Sequence, residues 1–303
     1  MAKLALGPVL FNWLAEEKRD FYFRIADEAP VDIVYLGEVV CSKRAAFFDP
    51  YLGEVTARLE RAGKEVVHST LALIMSEREM DAVRAVAADG VFVEANDMSC
   101  AALLAGTPHV IGPFINVYNE GTLKYLVRRG ATRFVVPGEL SARSLAVLAK
   151  AADGAEIEVQ VFGRLPLAIS ARCYHARAHG LHKDGCQYVC AEDRDGLGLE
   201  TLDGEPFLAV NGTQTMSHGF CSLIGELGEM RKMGIGCVRL WPHSVDMVEV
   251  AGLFRAVLDG REGAAAAEAR LEGLVHMAPL SNGFYHGREG AVRVTTAQPS
   301  PAG

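Results

Sequence analysis

The stretch His109–Pro137, HVIGPFINVYNEGTLKYLVRRGATRFVVP, sets the reading of the whole chain. An apolar run from His109 to Ile115 gives way to a segment of helical period that Gly130 closes, and a second apolar run fills Arg133–Pro137. Both runs are apolar for most of their length instead of alternating, which suits parallel strands buried on both faces. The unit is strand, helix, parallel strand. The same rhythm continues upstream through Leu4–Leu10, Asp32–Leu36, Glu65–Leu73 and Val91–Ala95, and downstream through Ile157–Phe162 and Cys237–Trp241. Between the runs, Leu52, Val55, Leu59 and Ala62 share one helical face, and Met247, Val250, Ala251, Phe254, Val257 and Leu258 mark a long helix near the end. Asp49-Pro50 and Ser76 with Glu79 read as helix starts; Gly63, Gly90, Gly106, Gly130 and Gly260 read as stops.

About seven or eight such units follow one another, most at spacings of roughly 20 to 35 residues. A (β/α) barrel and an open doubly wound sheet both accept this pattern. The nucleotide-binding form of the second would carry a G-x-G-x-x-G or P-loop signature, and the chain has neither. The expected class is α/β, a TIM-like (β/α) barrel, closed or irregular and incomplete. The barrel domain is placed at residues 1–260, with a Cys-rich insertion at 170–195 after strand 7. Residues 261–303 form a C-terminal extension whose last residues are expected to be flexible. Beyond the insertion, Leu197–Leu202 and Phe207–Val210 suggest a β-hairpin around Asp203-Gly204.

Half of the 303 residues are hydrophobic and 22% are charged, enough for a sizeable core and too little polarity for disorder. A net charge of -8 argues against a general binder of nucleic acid or anionic membrane. No apolar run approaches the roughly 18 to 20 residues that cross a bilayer. Leu4–Leu14 after Lys3 has the outline of a secretory signal, but Pro8, Asn12 and Trp13 interrupt it and no small-x-small cleavage site precedes Glu16. It reads as a first buried strand, and a cytoplasmic location is expected.

Seven cysteines, an odd number, sit in a chain too large to need staples, so any cluster among them is considered first as a metal site. Cys173, Cys186 and Cys190 supply one, in ARCYHARAHGLHKDGCQYVC. A fourth thiolate follows from the fold: Cys41 comes shortly after the second strand and Cys173 after the seventh, so a barrel would project both at its C-terminal face. Zinc and an iron–sulfur centre both remain open at this point. His175, His179 and His182 could replace a cysteine, although they read as solvated loop residues. Cys100 and Cys221 in expected helices, and Cys237 at a strand start, read as small core side chains. Glu38, Lys43, Arg44, Glu94, Asn116, Asn119, Glu139 and Arg172 fall at or after strand ends, where barrel enzymes place their chemistry. Arg44 and Arg172 are candidates to clamp carboxylates; the alternative is that these charges pair among themselves.

The segments LGPVLFNW, DIVYLGEVVCSKR, VHSTLALIMSE, FVEANDM, FINVYNEGTLKYLVRRGATRFVVPGELS, VFGRLPLAISARC, VNGTQTMS and SNGFYHG closely resemble the collagenase-like peptidase family U32, in its branch serving oxygen-independent ubiquinone biosynthesis. The resemblance runs from Leu4 to about Gly287, with Ser281 where that branch often has cysteine. It implies a barrel related to the TIM type and an oxygen-sensitive 4Fe-4S cluster on Cys41, Cys173, Cys186 and Cys190. It also implies a heterodimer with a homologous UbiU-like subunit and a lipid-binding, UbiT-like accessory protein. The implied reaction is O2-independent hydroxylation of the aromatic ring of prenylated quinone precursors, with prephenate as hydroxyl donor. A noncatalytic cluster-bearing subunit is the alternative. Peptidase activity is suggested by the family name alone: H-E-x-x-H and G-x-S-x-G are missing, and although Ser170, Cys173 and nearby histidines imitate a nucleophile and base, an iron-bound cysteine is not a free nucleophile.

Overall fold

Short runs rich in Val, Ile and Leu pair edge to edge because β-branched and apolar side chains fit a sheet covered on both faces. In the computed structural model, which describes residues 2–295, β1 (Lys3–Leu6), β2 (Ile33–Leu36), β3 (Glu65–Ser69), β4 (Val93–Ala95), β5 (His109–Ile111), β6 (Ala131–Val135) and β7 (Glu156–Ile169) pair in sequence order. Three antiparallel or crossing strands follow, β8 (Leu197–Glu200), β9 (Pro206–Asn211) and β10 (Gln214–Ser222), then β11 (Cys237–Leu240) and β12 (Leu280–Ser281). β11 lies parallel to β1 on one side and to β7 on the other, which closes an eight-stranded parallel barrel. The fold is a TIM-like (β/α) barrel.

Around it run α1 (Ala15–Glu28), α2 (Ser42–Arg61), α3 (Glu77–Ala88), α4 (Met98–Leu103), α5 (Glu120–Val127) and α6 (Ala142–Ala151). A short α7 (Tyr174–Ala178) lies in the insertion, and α8 (Leu227–Lys232), α9 (Met247–Leu258) and α10 (Ala264–Leu274) complete the ring. Alternation along each strand sorts the side chains. Leu4, Leu6, Val34 and Leu36 join the core beneath the helices, while Ala5, Ile33, Tyr35, Val67, Val110, Val135 and Cys237 fill the barrel.

β7 is longer than a barrel stave. Its first half pairs with β6 and β11 in the wall; its second half leaves the barrel and pairs antiparallel with β10, which adds β9 and then β8. The hairpin around Asp203-Gly204 joins β8 to β9, with Gly204 at φ +82°. The Cys-rich segment hangs between β7 and this antiparallel flap. α10 packs on α9 and β12 pairs with β10, so the chain returns to the flap after the barrel is complete.

Three local expectations are corrected. α2 starts at Ser42 and passes through Pro50, because helix-forming Lys43, Arg44, Ala45 and Ala46 extend it backwards from Asp49-Pro50. Cys221 lies in β10, next to its last residue, instead of opening a helix, because β10 continues alongside β7. The run His109–Ile115 divides into β5 and a 3-10 turn at Pro113–Ile115, where proline cannot donate to the ladder. The expected mobility at the chain's end concerns residues 296–303, outside the described residues. Among the described residues no helix is long and apolar enough to cross a membrane.

Candidate metal centre

Cys41 is set by a tight exit from β2. Gly37 has φ +124°, and a Cβ there would run into the backbone carbonyl of Ser69. The Glu38 carboxylate then accepts from the amides of Val40 and Cys41, both at 2.9 Å, turning the chain into α2 with Cys41 as its N-cap. The amide end of this 20-residue helix favours negative charge at the sulfur. Cys173 follows the outer half of β7 and caps α7, its Sγ accepting from Ala176 N–H at 3.4 Å. Cys186 and Cys190 flank a tight link in which Gln187 and Tyr188 adopt left-handed φ values of 50° and 56°. Cys190 receives the Asn12 side-chain amide at 3.5 Å.

All four cysteines line a single solvent-open cavity, together with Lys43, Arg44, Ala176, Lys183, Tyr188, Val189 and Gly212. The other three cysteines are buried elsewhere. Burial pushes Cys100 up to about 11, Cys221 up to about 12 and Cys237 well above the usual thiol range, as expected of inert core thiols. Burial also raises Cys41, but there the Arg44 guanidinium pulls the other way.

Arg44 is the electrostatic key to the cavity. Its Nη1 donates to Leu10 O and its Nη2 to Asn211 Oδ1, each at 2.9 Å, while its Nε is buried without a partner. No carboxylate forms an ion pair with it among the described residues. The Glu38 charge favours this cation from a distance, and with no carboxylate bonded to it the guanidinium still attracts negative charge into the cavity. Thiolates around a metal core would supply it. Among the described residues no three of the four sulfurs come within 4.8 Å of one another, whereas a tetrahedral zinc with Zn–S of about 2.3 Å would hold its sulfurs about 3.8 Å apart. Four thiol donors are the set that an iron–sulfur cluster takes.

The β9–β10 turn, Asn211-Gly212-Thr213, ties the cradle together. Asn211 Nδ2 donates to Leu10 O at 2.7 Å, Thr213 Oγ1 to Val40 O at 2.9 Å, Ser170 N–H to Thr213 O at 3.0 Å and His175 N–H to Gly212 O at 3.3 Å. The loops after β1, β2 and β7 thus meet on one hairpin. Gly212 has φ +63°, and a Cβ there would lie 2.5 Å from Arg44 Nη2. Sequence reasoning gave this turn no role, although Asn-Gly between two alternating runs is a strong hairpin signal. Asn12, seen only as an interruption of an apolar run, belongs to the same frame.

The remaining candidates separate clearly. Glu38 and Lys43 lie at the cradle, Lys43 Nζ donating to Lys183 O at 2.6 Å. Glu94 is not at an open mouth; it is fully buried and paired with Arg239, because its inward position on β4 points it into the barrel. Asn116 takes a left-handed turn, Asn119 caps α5 through Thr122 N–H, and Glu139 accepts from Tyr118 Oη. Arg44 and Arg172 do not form a clamp: Arg44 is buried and bonded inward, while Arg172 is exposed. His175 is not a solvated loop residue. It is fully buried, with Nε2 2.9 Å from Asp193 Oδ2, because its partner arrives from the far end of the insertion.

The family model described as Peptidase family U32 matches residues 21–295 of the chain. Among solved structures, the tryptophan synthase complex from Pyrococcus furiosus aligns with a TM-score of 0.41 at 12% identity, covering 91% of this chain and 100% of that one. D-Psicose 3-epimerase from Clostridium cellulolyticum aligns with a TM-score of 0.33 at 11% identity, covering 91% and 99%.

Proposed function

The chain belongs to peptidase family U32, and on that premise we propose that it is a UbiV-like 4Fe-4S protein of oxygen-independent ubiquinone biosynthesis. In this reading it works in the cytoplasm as a heterodimer with a UbiU-like subunit, alongside a UbiT-like lipid-binding protein. The pair hydroxylates the aromatic ring of prenylated quinone precursors without O2, with prephenate as hydroxyl donor. One observation carries the cofactor assignment: four thiols from separated segments line the same cavity beside a buried guanidinium that bonds only neutral acceptors. The motifs that carry the resemblance, around Cys41, Cys173 and Asn211-Gly212-Thr213, are the segments that build this cavity.

Cys41, Cys173, Cys186 and Cys190 would hold the cluster, which when bound supplies one-electron redox chemistry. Arg44 offsets its negative charge, and the Ala176 amide and Asn12 side chain donate to the sulfurs of Cys173 and Cys190. Tyr188 lines the opening, its ring edge-on to Phe47 with centroids 4.8 Å apart. Anaerobic reconstitution should give a brown chain carrying about four irons and four sulfides. Cys186→Ala and Cys190→Ala should each abolish the colour; full iron and sulfide in both would refute the assignment.

A supporting, noncatalytic subunit is favoured by one feature: Arg239 and Glu94, both buried and paired with each other, fill the barrel interior with a structural ion pair. Mixing each cluster-deficient subunit with an intact partner, and following precursor hydroxylation, separates the two roles. Peptidase chemistry has less support, since neither H-E-x-x-H nor G-x-S-x-G occurs in the chain.

A further inference from the structure

We infer that His175, His179 and Asp193 form a second metal site, for a divalent transition ion of the zinc class, next to the thiol cradle and independent of it. The two histidines are four residues apart on α7 and its C-cap, the spacing that brings two imidazoles to one helix face. Their rings lie parallel, 7° apart in plane, with centroids separated by 5.6 Å. Asp193 reaches them from beyond Cys190, and one ligand atom from each of the three side chains lies within 4.8 Å of the other two.

Two details distinguish this trio from a surface coincidence. His175 is 0% exposed, and its Nε2 already faces the Asp193 carboxylate, so a buried imidazole is held aimed at an acidic donor. His179, by contrast, is exposed and free to swing. Metal–ligand bonds of about 2.0 to 2.2 Å put donor atoms about 3 to 3.5 Å apart. Nε2 of His175 and Oδ2 of Asp193 stand at 2.9 Å, so an ion replaces the proton between them with only a small opening of the pair while the exposed imidazole closes. Two imidazoles and one carboxylate select a borderline transition ion over calcium or magnesium and leave a coordination position open.

The ligands bracket the cysteines. His175 is two residues beyond Cys173, and Asp193 is three beyond Cys190. An ion there joins the two ends of the insertion and holds three of the four thiols in register whether or not the cradle is filled. The competing explanation is a simple His–Asp hydrogen bond that braces the loop and binds nothing.

The test uses the full chain with its thiols occupied after anaerobic cluster assembly, equilibrated with zinc, desalted and analysed for metal and sulfide. About one zinc per chain is expected beyond the cluster iron, lost in His179→Ala and in Asp193→Asn with iron and sulfide unchanged. Absence of zinc from the wild-type chain overturns the site. Equal zinc in both variants also overturns it, since that marks thiol-bound metal or an adventitious ion only. If the chain assembles no cluster at all, the cofactor reading fails separately, and the same comparison on the metal-free chain with Cys41, Cys173, Cys186 and Cys190 alkylated still decides the zinc site. His179→Ala removes an exposed side chain and keeps the test valid should Asp193→Asn misfold.

Discussion

Arg239 and Arg44 are both buried arginines near the mouth of the barrel, but their surroundings are opposite. Arg239 has Nη1 2.8 Å from Glu94, its Nε on Glu158, and its guanidinium 3.7 Å above the Tyr35 ring, while Tyr35 Oη donates to the second Glu158 oxygen at 2.7 Å. Arg133 extends the network to Glu65 and Glu156 at 2.8 and 2.6 Å. Charge there is balanced from within. Arg44 bonds only neutral acceptors, with the Glu38 charge and the thiols of Cys41 and Cys190 nearby. A balanced interior charge holds a fold in one arrangement, whereas an unbalanced one waits for a guest of opposite sign.

The contrast can be broken at several points. The largest effect is expected from Cys41→Ala, which should take cluster iron to background while circular dichroism stays unchanged; iron retained in full would put the cradle in the same class as the barrel interior. Next is Glu158→Leu, which strands Arg239 and should cost about 3–5 kcal/mol in urea unfolding of the metal-free chain. Arg44→Leu should cost that metal-free chain clearly less while weakening cluster retention. Equal costs would erase the distinction. Gly212→Ala forces a Cβ against Arg44 and a left-handed backbone, so about 1–3 kcal/mol and a lower iron content should go together. The smallest effect concerns Cys221, which burial pushes up to about 12. The folded chain keeps a proton that the unfolded chain releases above about 8.5. Stability therefore falls as pH rises through that range, and Cys221→Ala should remove about 1 kcal/mol of the loss between pH 8 and 9.5, read from paired urea titrations.

The barrel was legible because a strand buried on both faces leaves an unbroken apolar run, even when only Val93–Ala95 or His109–Ile111 forms the ladder. The thiol set was legible through topology, since consecutive strand ends share one rim. What sequence hid were pairings fixed by distant segments. Glu94 looked like a mouth residue because nothing nearby in the chain announces Arg239, and His175 looked solvated because Asp193 lies eighteen positions away. The outer half of β7 was hidden for a related reason: Leu165-Pro166-Leu167 resembles a loop until β10 lies beside it. Asn211-Gly212 carried a signal that went unused, because a turn's shape does not say which loops it will fasten.

The separation of Cys41 from Cys173 along the chain also has a consequence for biogenesis. At synthesis rates of about 5–20 residues per second, the first thiol leaves the ribosome on the order of ten seconds before its partners. Until then it faces the cell alone. For the proposed cluster, iron delivery would then wait until the flap has been translated, when all four thiols are present together.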